Sequence, residues 1–339
     1  MVSMKDISRA CGVSVATVSK ALNNHSDIGE ETKRHIKQVA REMGYSPNLS
    51  ARALKTNKTY GIGVLFVDEA NSGLTHDYFA SVLDSFKRMS EKYGYDITFI
   101  NGSKNRKDQM TYLEHSRCRG FDGIAIACID FNDPEVIELL ESDIPVITID
   151  HPFENRIAIN SDNANGMREL TEYIYQQGHR RIAYIHGAPS DVTTRRMNSF
   201  FETTKRFGLS IPEEYIQEAP YRDTDMSYRL TRELMQLKEP PTVILYPDDF
   251  AAIGGMNAIQ EMGLRIPEDV SVAGYDGIPL AKHLQPRLTT VQQDTEQIGV
   301  VAARELISLI ERPKTTAIQQ ITIPGYLVEG KSVANLNTR

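Results

Sequence analysis

Seven short apolar runs rich in β-branched residues recur along this chain, alternating with stretches of helical spacing. They are GIGVLFV (61–67), DITFIN (96–101), GIAIA (123–127), PVITID (145–150), RIAYIHG (181–187), TVILYP (242–247) and SVAGYD (271–276). Near-continuous runs of this kind describe strands covered on both faces, and helices between them describe parallel pairing. The pattern predicts an α/β body of two parallel-sheet halves, about 60–160 and 161–289. A later strand-like piece, LTTVQQD (288–294), and the helical pattern IGVVAARELISLIE return the chain to the first half before GYLVEG ends in the second. At 339 residues the chain exceeds what one hydrophobic core serves, so two or three compact units are expected.

Open α/β sheets bind ligands at the C-terminal ends of their strands. Those ends carry Asp68, Asn101, Asp150, Asp248, Asp249 and Asp276. Carboxylates accept paired hydroxyl hydrogen bonds, and an aromatic face packs on the apolar side of a sugar ring. HDYFA supplies Tyr78 and Phe79 at the start of the first cleft-facing helix, and TTRRMNSF supplies Arg195 and Arg196. Strand-end aspartates also cap helices, and Asp249 before FAAIGG is expected to do so. Asp162 and Asn163 in INSDNANG fit a crossover and cap role. Tyr78 and Phe79 fit either ligand contact or the core of the following helix.

The formal charge of −7 is unevenly spread. Residues 1–60 hold ten Lys and Arg against five acids, +5, which leaves 28 basic and 40 acidic residues, −12, for the rest. A small basic head on an acidic body suggests a polyanion at one end. SMKDISRACG opens with Ser3 and Asp6 at capping-box spacing, places Ile7, Ala10 and Cys11 on one face, and reaches Gly12 where a helix stops. Ser14 is a second N-cap; Val18, Ala21 and Leu22 then point inward, while Val15, Ala16, Thr17, Ser19 and Lys20 form the outer face. GEETKRHIKQVAREMG gives a third helix through Ile36, Val39, Ala40 and Met43. Three short helices with a Gly turn between the first two are helix-turn-helix geometry, and a helix lying in a major groove needs small or short polar outer residues.

The phrases KDISRACGVSVATVSKALN and YSPNLSARALKTNKTYGIGVL in the head resemble the lac-repressor-type (LacI/GalR) family of transcription regulators. GHRRIAYIHG, AAIGGMNAIQEMGLRIPEDVSVAGYDGIP and LTTVQQD extend the resemblance over the full length. The resemblance implies a helix-turn-helix domain (1–45), a hinge helix or linker (46–59), and a periplasmic-binding-protein-like body of two Rossmann-like subdomains, 60–161 with 290–324 and 162–289 with 325–339. It implies that Val15, Ala16 and Lys20 face bases, Lys20 donating to guanine O6 and N7, and that Ser14, Thr17, Ser19 and Asn23 hold phosphates. Members often carry larger polar residues at positions 15 and 16, so the operator sequence stays open. Leu54 would wedge into the minor groove beside Lys55, kinking the duplex. For the effector, the resemblance favours Arg196, Asp248 and Asp276, with Asp150 and Tyr78 behind them, and because the family pairs its first body halves it implies a dimer face along YFASVLDSFKRM. Sugar-sensing members often show Asn then Asp where this chain has Asp248 and Asp249, and the added charge suits a polyol richer in donors or a cationic effector.

Other function classes find little support. GIG at 61–63 lacks the third glycine of a dinucleotide fingerprint, and GxxxxGK[ST], HExxH and GxSxG are missing. His151 and His186 read as structural polar residues. The three cysteines show no CxxC spacing, so no metal, disulfide framework or cofactor is expected. A signal peptide and a membrane span are not evident, which fits a cytoplasmic protein and disfavours a solute-binding protein. The sequence therefore predicts a homodimeric repressor of carbohydrate-metabolism genes, not an enzyme, that binds pseudo-palindromic operator DNA and a sugar-type effector. The same architecture sensing a nucleobase or another metabolite is the alternative.

Overall fold

The computed structural model describes residues 2–45, 58–67, 73–100 and 110–338. The chain divides into two compact units, Met1–Thr59 and Tyr60–Arg339.

In the head, α1 (Met4–Cys11) starts at a reciprocal box: Asp6 N–H donates to Ser3 Oγ at 3.4 Å and Ser3 N–H to the Asp6 carboxylate at 2.9 Å. Gly12 stops the helix at φ +66°, a left-handed turn open to glycine at little cost. Then follow α2 (Val15–Leu22), capped by Ser14, and α3 (Glu30–Glu42). Ile7, Val18, Ala21, Ile36 and Ala40 make the core, with Cys11, Leu22, Val39 and Met43 packed around them. Ala10, expected on the inner face of α1, is exposed.

The first sheet of the body has the order β11 (Gln320–Ile323), β5 (Ile157–Ser161), β4 (Val146–Ile149), β3 (Gly123–Ala127), β1 (Gly61–Phe66), β2 (Asp96–Ile100), with every pair parallel. β3, β4 and β5 are buried at every residue, as strands covered on both faces must be. Along β3, Ala125 and Ala127 join the core under α4 (Asp77–Lys92) and α11 (Thr295–Glu311). Ile124 and Ile126 face the opposite core, under α5 (Tyr112–Arg119) and α6 (Pro134–Glu141). The second sheet is parallel in the order β7 (Ile216–Glu218), β6 (Ile182–His186), β8 (Val243–Leu245), β9 (Ser271–Ala273). α7 (Asn163–Gln176) and α8 (Asp191–Arg206) cover one face, α9 (Thr224–Met235) and α10 (Asp249–Glu261) the other.

All seven apolar runs form strands, but β5, β7, β11 and β12 (Tyr326–Val328) were not anticipated. IAINS ends in polar residues that suggest a loop, β7 has three residues, and β11 alternates exposure along the sheet edge. One boundary also needs correction. The expected return to the first half at residue 290 comes later, because β10 (Thr290–Gln292) stays in the second half. It pairs antiparallel with β12 (Tyr326–Val328), and its neighbour Thr289 and its own Val291 accept from the Gly274 and Asp276 N–H groups, each at 2.9 Å. The open edge after β9 thus finds its hydrogen-bond partners before the chain crosses into α11.

α11 packs closely on α4, and Gly299 permits it: a Cβ there would lie 2.1 Å from Ser85 Oγ and 2.2 Å from the Val82 carbonyl. Tyr78, Val82, Leu83 and Phe86 are buried in the protomer's own core, leaving Ser81, Asp84 and Arg88 exposed. Among the described residues, no helix is long and apolar enough to cross a membrane.

Candidate functional site

On α2 the inner and outer faces separate as the spacing requires. Val18 and Ala21 are fully buried, whereas Ala16, Lys20 and Val15, at 40% exposure, stand outward. Ser14 Oγ accepts the Thr17 N–H at 3.0 Å and lies 2.8 Å from Thr17 Oγ1, so these two hydroxyls form the helix start. Asn23 Nδ2 donates to the Ser19 carbonyl at 2.8 Å, closing the other end. Lys20 Nζ donates to Asp27, and this bond holds the Asp27 carboxyl below its ordinary range. Leu54 and Lys55 lie outside the described residues, as do Asp68 and Asn101.

In the body, the strand ends bring together one guanidinium and several carboxylates. Arg196, on α8, is 3% exposed. Its Nε donates to Asn163 Oδ1 at 2.7 Å and Nη1 to the Pro247 carbonyl at 2.8 Å; its plane sits 3.5 Å above the Tyr275 ring. Nη2 is 3.7 Å from Asp276 Oδ1, an ion pair too long for a hydrogen bond. Burial works against the Arg196 charge, yet Tyr221, Tyr275 and Asp276 around it outweigh that and raise its pKa above the ordinary value. The group therefore stays charged.

Asp276 follows β9 at φ +98°, and its Oδ1 accepts from Gln293 Nε2 at 2.6 Å. Burial pushes its pKa up to about 6, with Arg196 pulling down and Asp248 and Asp150 pushing further up. On the first half, Asp150 accepts the Ser161 N–H at 2.9 Å and the Tyr78 hydroxyl, and burial raises its pKa also. Beside burial, which leads both shifts, the Arg196 charge favours ionised Asp150 and the Asp150 charge disfavours ionised Asp276. Phe79 lies among the rings of Phe66, His76 and Tyr78, half-buried beside this cluster.

The helix cap expected of Asp249 falls to its neighbour. Asp248 caps α10: its Oδ1 accepts the Ala251 N–H at 2.8 Å and its Oδ2 the Arg222 N–H at 2.7 Å. Asp249, fully buried, accepts from Thr290 Oγ1 at 2.6 Å and from the Ile278 N–H at 2.8 Å, tying α10 to β10 and to the turn after β9. The geometry decides between them, since the first aspartate is still extended, at φ −155°, and the second is already helical. Asp162 caps α7 as expected.

Several residues of the site escaped the sequence reading. Tyr275 directly precedes Asp276 in GYDG, a signal that was there to use. Tyr221 and Arg222 follow β7, the short strand that was missed, so nothing marked APYRD as a strand end. Gln293 lies in LTTVQQD, just beyond β10.

Residues 3–48 match the family described as bacterial regulatory proteins, lacI family, and residues 171–333 the periplasmic binding protein-like domain. Over 343 aligned residues, covering 100% of both chains, the protein is 33% identical to the probable HTH-type transcriptional repressor ExuR of Bacillus subtilis (strain 168). The chain belongs to the lacI family. A second lacI-family relative, the HTH-type transcriptional repressor PurR of Edwardsiella ictaluri (strain 93-146), is 30% identical over 99% of this chain and 98% of its own. Among solved structures, the lac repressor dimer bound to operator and the anti-inducer ONPF shares the fold with a TM-score of 0.82, at 23% identity over 98% of this chain and 99% of that one. The relatives named here are regulators rather than enzymes, and this lacI-family chain joins a helix-turn-helix head to a periplasmic-binding-protein-like body.

Proposed function

We propose that this protein is a homodimeric transcriptional repressor that binds a pseudo-palindromic operator and takes a sugar-type effector between the two halves of its body. The observation that carries the effector class is the Arg196 cluster. One buried guanidinium faces Asp276 and, beyond it, Asp150 and Tyr78, a dense set of acceptors and donors suited to a ring bearing several hydroxyls. Tyr221, half-buried beside Arg196, adds an aromatic ring. The operator reading is supported by the outward Val15, Ala16 and Lys20 of α2, with Ser14, Thr17, Ser19 and Asn23 as phosphate partners. The dimer reading is supported by the likeness to the lac repressor dimer, and α4 keeps Ser81, Asp84 and Arg88 exposed for such a face. Effector binding would change the relative angle of the halves, and through residues 46–59, with Leu54 and Lys55, the free energy of docking two heads.

A thermal-shift screen against monosaccharides, disaccharides, sugar phosphates, nucleobases and amino acids tests the effector class, because a ligand bound only by the folded state raises apparent stability. A shift with a sugar supports the proposal; a shift with nucleobases alone replaces the sugar by a base.

Acid should weaken that effector. Asp276 accepts hydroxyl protons best when ionised, and its raised pKa means that it takes up a proton as the pH falls through about 6. Apparent affinity should be level above pH 7 and up to about tenfold lower at pH 5. Calorimetric titration at the two pH values measures this, and equal affinities would exclude ionised Asp276 as an essential acceptor.

A further inference from the structure

Arg222 is held in an unusual way. Its backbone is left-handed, at φ +64°, a conformation that costs a non-glycine residue energy. Its N–H donates to Asp248, its guanidinium lies 3.9 Å over the Phe250 ring, and the side chain is 14% exposed. From there it crosses the cleft: Nη1 donates to Asp77 Oδ2 at 3.2 Å, and Nη2 lies 3.5 Å from the Thr75 carbonyl. Asp77 is the first residue of α4, in the first half, immediately before Tyr78. Among the described residues, no other ion pair joins the two halves.

We infer that Arg222 is a positioning residue of the effector cleft that clasps its two walls together. Through its N–H it fixes the Asp248 carboxylate on the second half; through its guanidinium it fixes the Asp77–Tyr78 step on the first. The role also accounts for an aspartate rather than an asparagine at position 248. Both Asp248 oxygens already accept backbone N–H groups, and the Arg222 charge counters the added negative charge. That charge is compensated inside the protein, so it does not call for a cationic effector. The Phe250 ring and the Asp248 bond hold the arginine in place, which lowers the entropy lost when it reaches Asp77.

The inference rests on reading the cleft as the effector site, but its test needs no effector. Amide hydrogen exchange is followed in the full chain for the original protein, Asp77→Asn, Arg222→Gln and Arg222→Lys. Loss of the clasp should speed exchange on the wall opposite each substitution: residues 219–224 in Asp77→Asn and residues 73–80 in Arg222→Gln, on the order of threefold to tenfold. Arg222→Lys should restore part of the protection, and 1 M NaCl should loosen the original protein but not Asp77→Asn. Exchange altered only beside each substitution, with the opposite wall unchanged, would overturn the clasp. A cleft that takes no ligand in the screen would overturn the effector reading and leave this result standing.

Discussion

Replacing Arg196 by alanine is expected to destabilise the ligand-free protein by about 3 kcal/mol and to abolish its response to effector. The magnitude follows from what the side chain leaves behind. Asn163 Oδ1 and the Pro247 carbonyl each lose a donor in a buried setting, the Tyr275 ring loses the cation stacked on it, and Asp276 loses the nearest positive charge. An orphaned buried acceptor costs about 1–3 kcal/mol, and breaking a buried pair from one side about 3–5 kcal/mol. The long Arg196–Asp276 separation places the sum toward the lower end. Part of the loss will be relieved as Asp276 takes up a proton, since its pKa already lies at about 6 with Arg196 present. Arg196→Lys keeps the charge but not the planar fork or the stack, and should recover only part of the stability. Urea unfolding without ligand measures the first effect and thermal shift with the screened ligand the second. A variant within 1 kcal/mol of the original would mean that Arg196 does not hold the strand ends together.

How much of this was legible beforehand depends on the kind of signal. Helix starts were readable because a side chain caps its own neighbouring backbone: Ser3, Ser14 and Asp162 all do what their spacing announces. Buried strands were readable because continuous β-branched runs have no other use. The choice of cap between Asp248 and Asp249 was not, since either aspartate satisfies the cap rule and only the backbone angle at Asp248 decides. Nor was the fate of the α4 stripe, because an apolar helical face packs equally well on a second protomer or on α11; the deciding residue is Gly299, far along the chain from Val82 and Ser85, which brings α11 into contact. Arg222 shows a third limit. Its partners, Asp248 and Asp77, are distant in sequence, and no local pattern links an arginine after a three-residue strand to the first turn of a helix 145 residues earlier.

Lys20→Ala should relax base preference at a single position of each half-site, at a cost on the order of 1–3 kcal/mol for the preferred base pair. Lys20 is exposed and already bonded to Asp27. On an operator its ammonium would have to leave that carboxylate or share it with guanine O6 and N7. The pair therefore has two effects that a single variant confounds. Removing Lys20 deletes the donor to the base, and it also uncovers the Asp27 charge beside a phosphate backbone, which weakens binding to every sequence alike. Asp27→Asn separates them. In the Lys20→Ala/Asp27→Asn protein the uniform weakening should be recovered while discrimination at the one base pair stays lost. Selection of operator variants followed by affinity measurement at two salt concentrations reads both terms. Equal weakening on all sequences, fully cured by Asp27→Asn, would leave Lys20 as the partner of Asp27 and move base reading to the remaining exposed residues of α2, Val15 and Ala16.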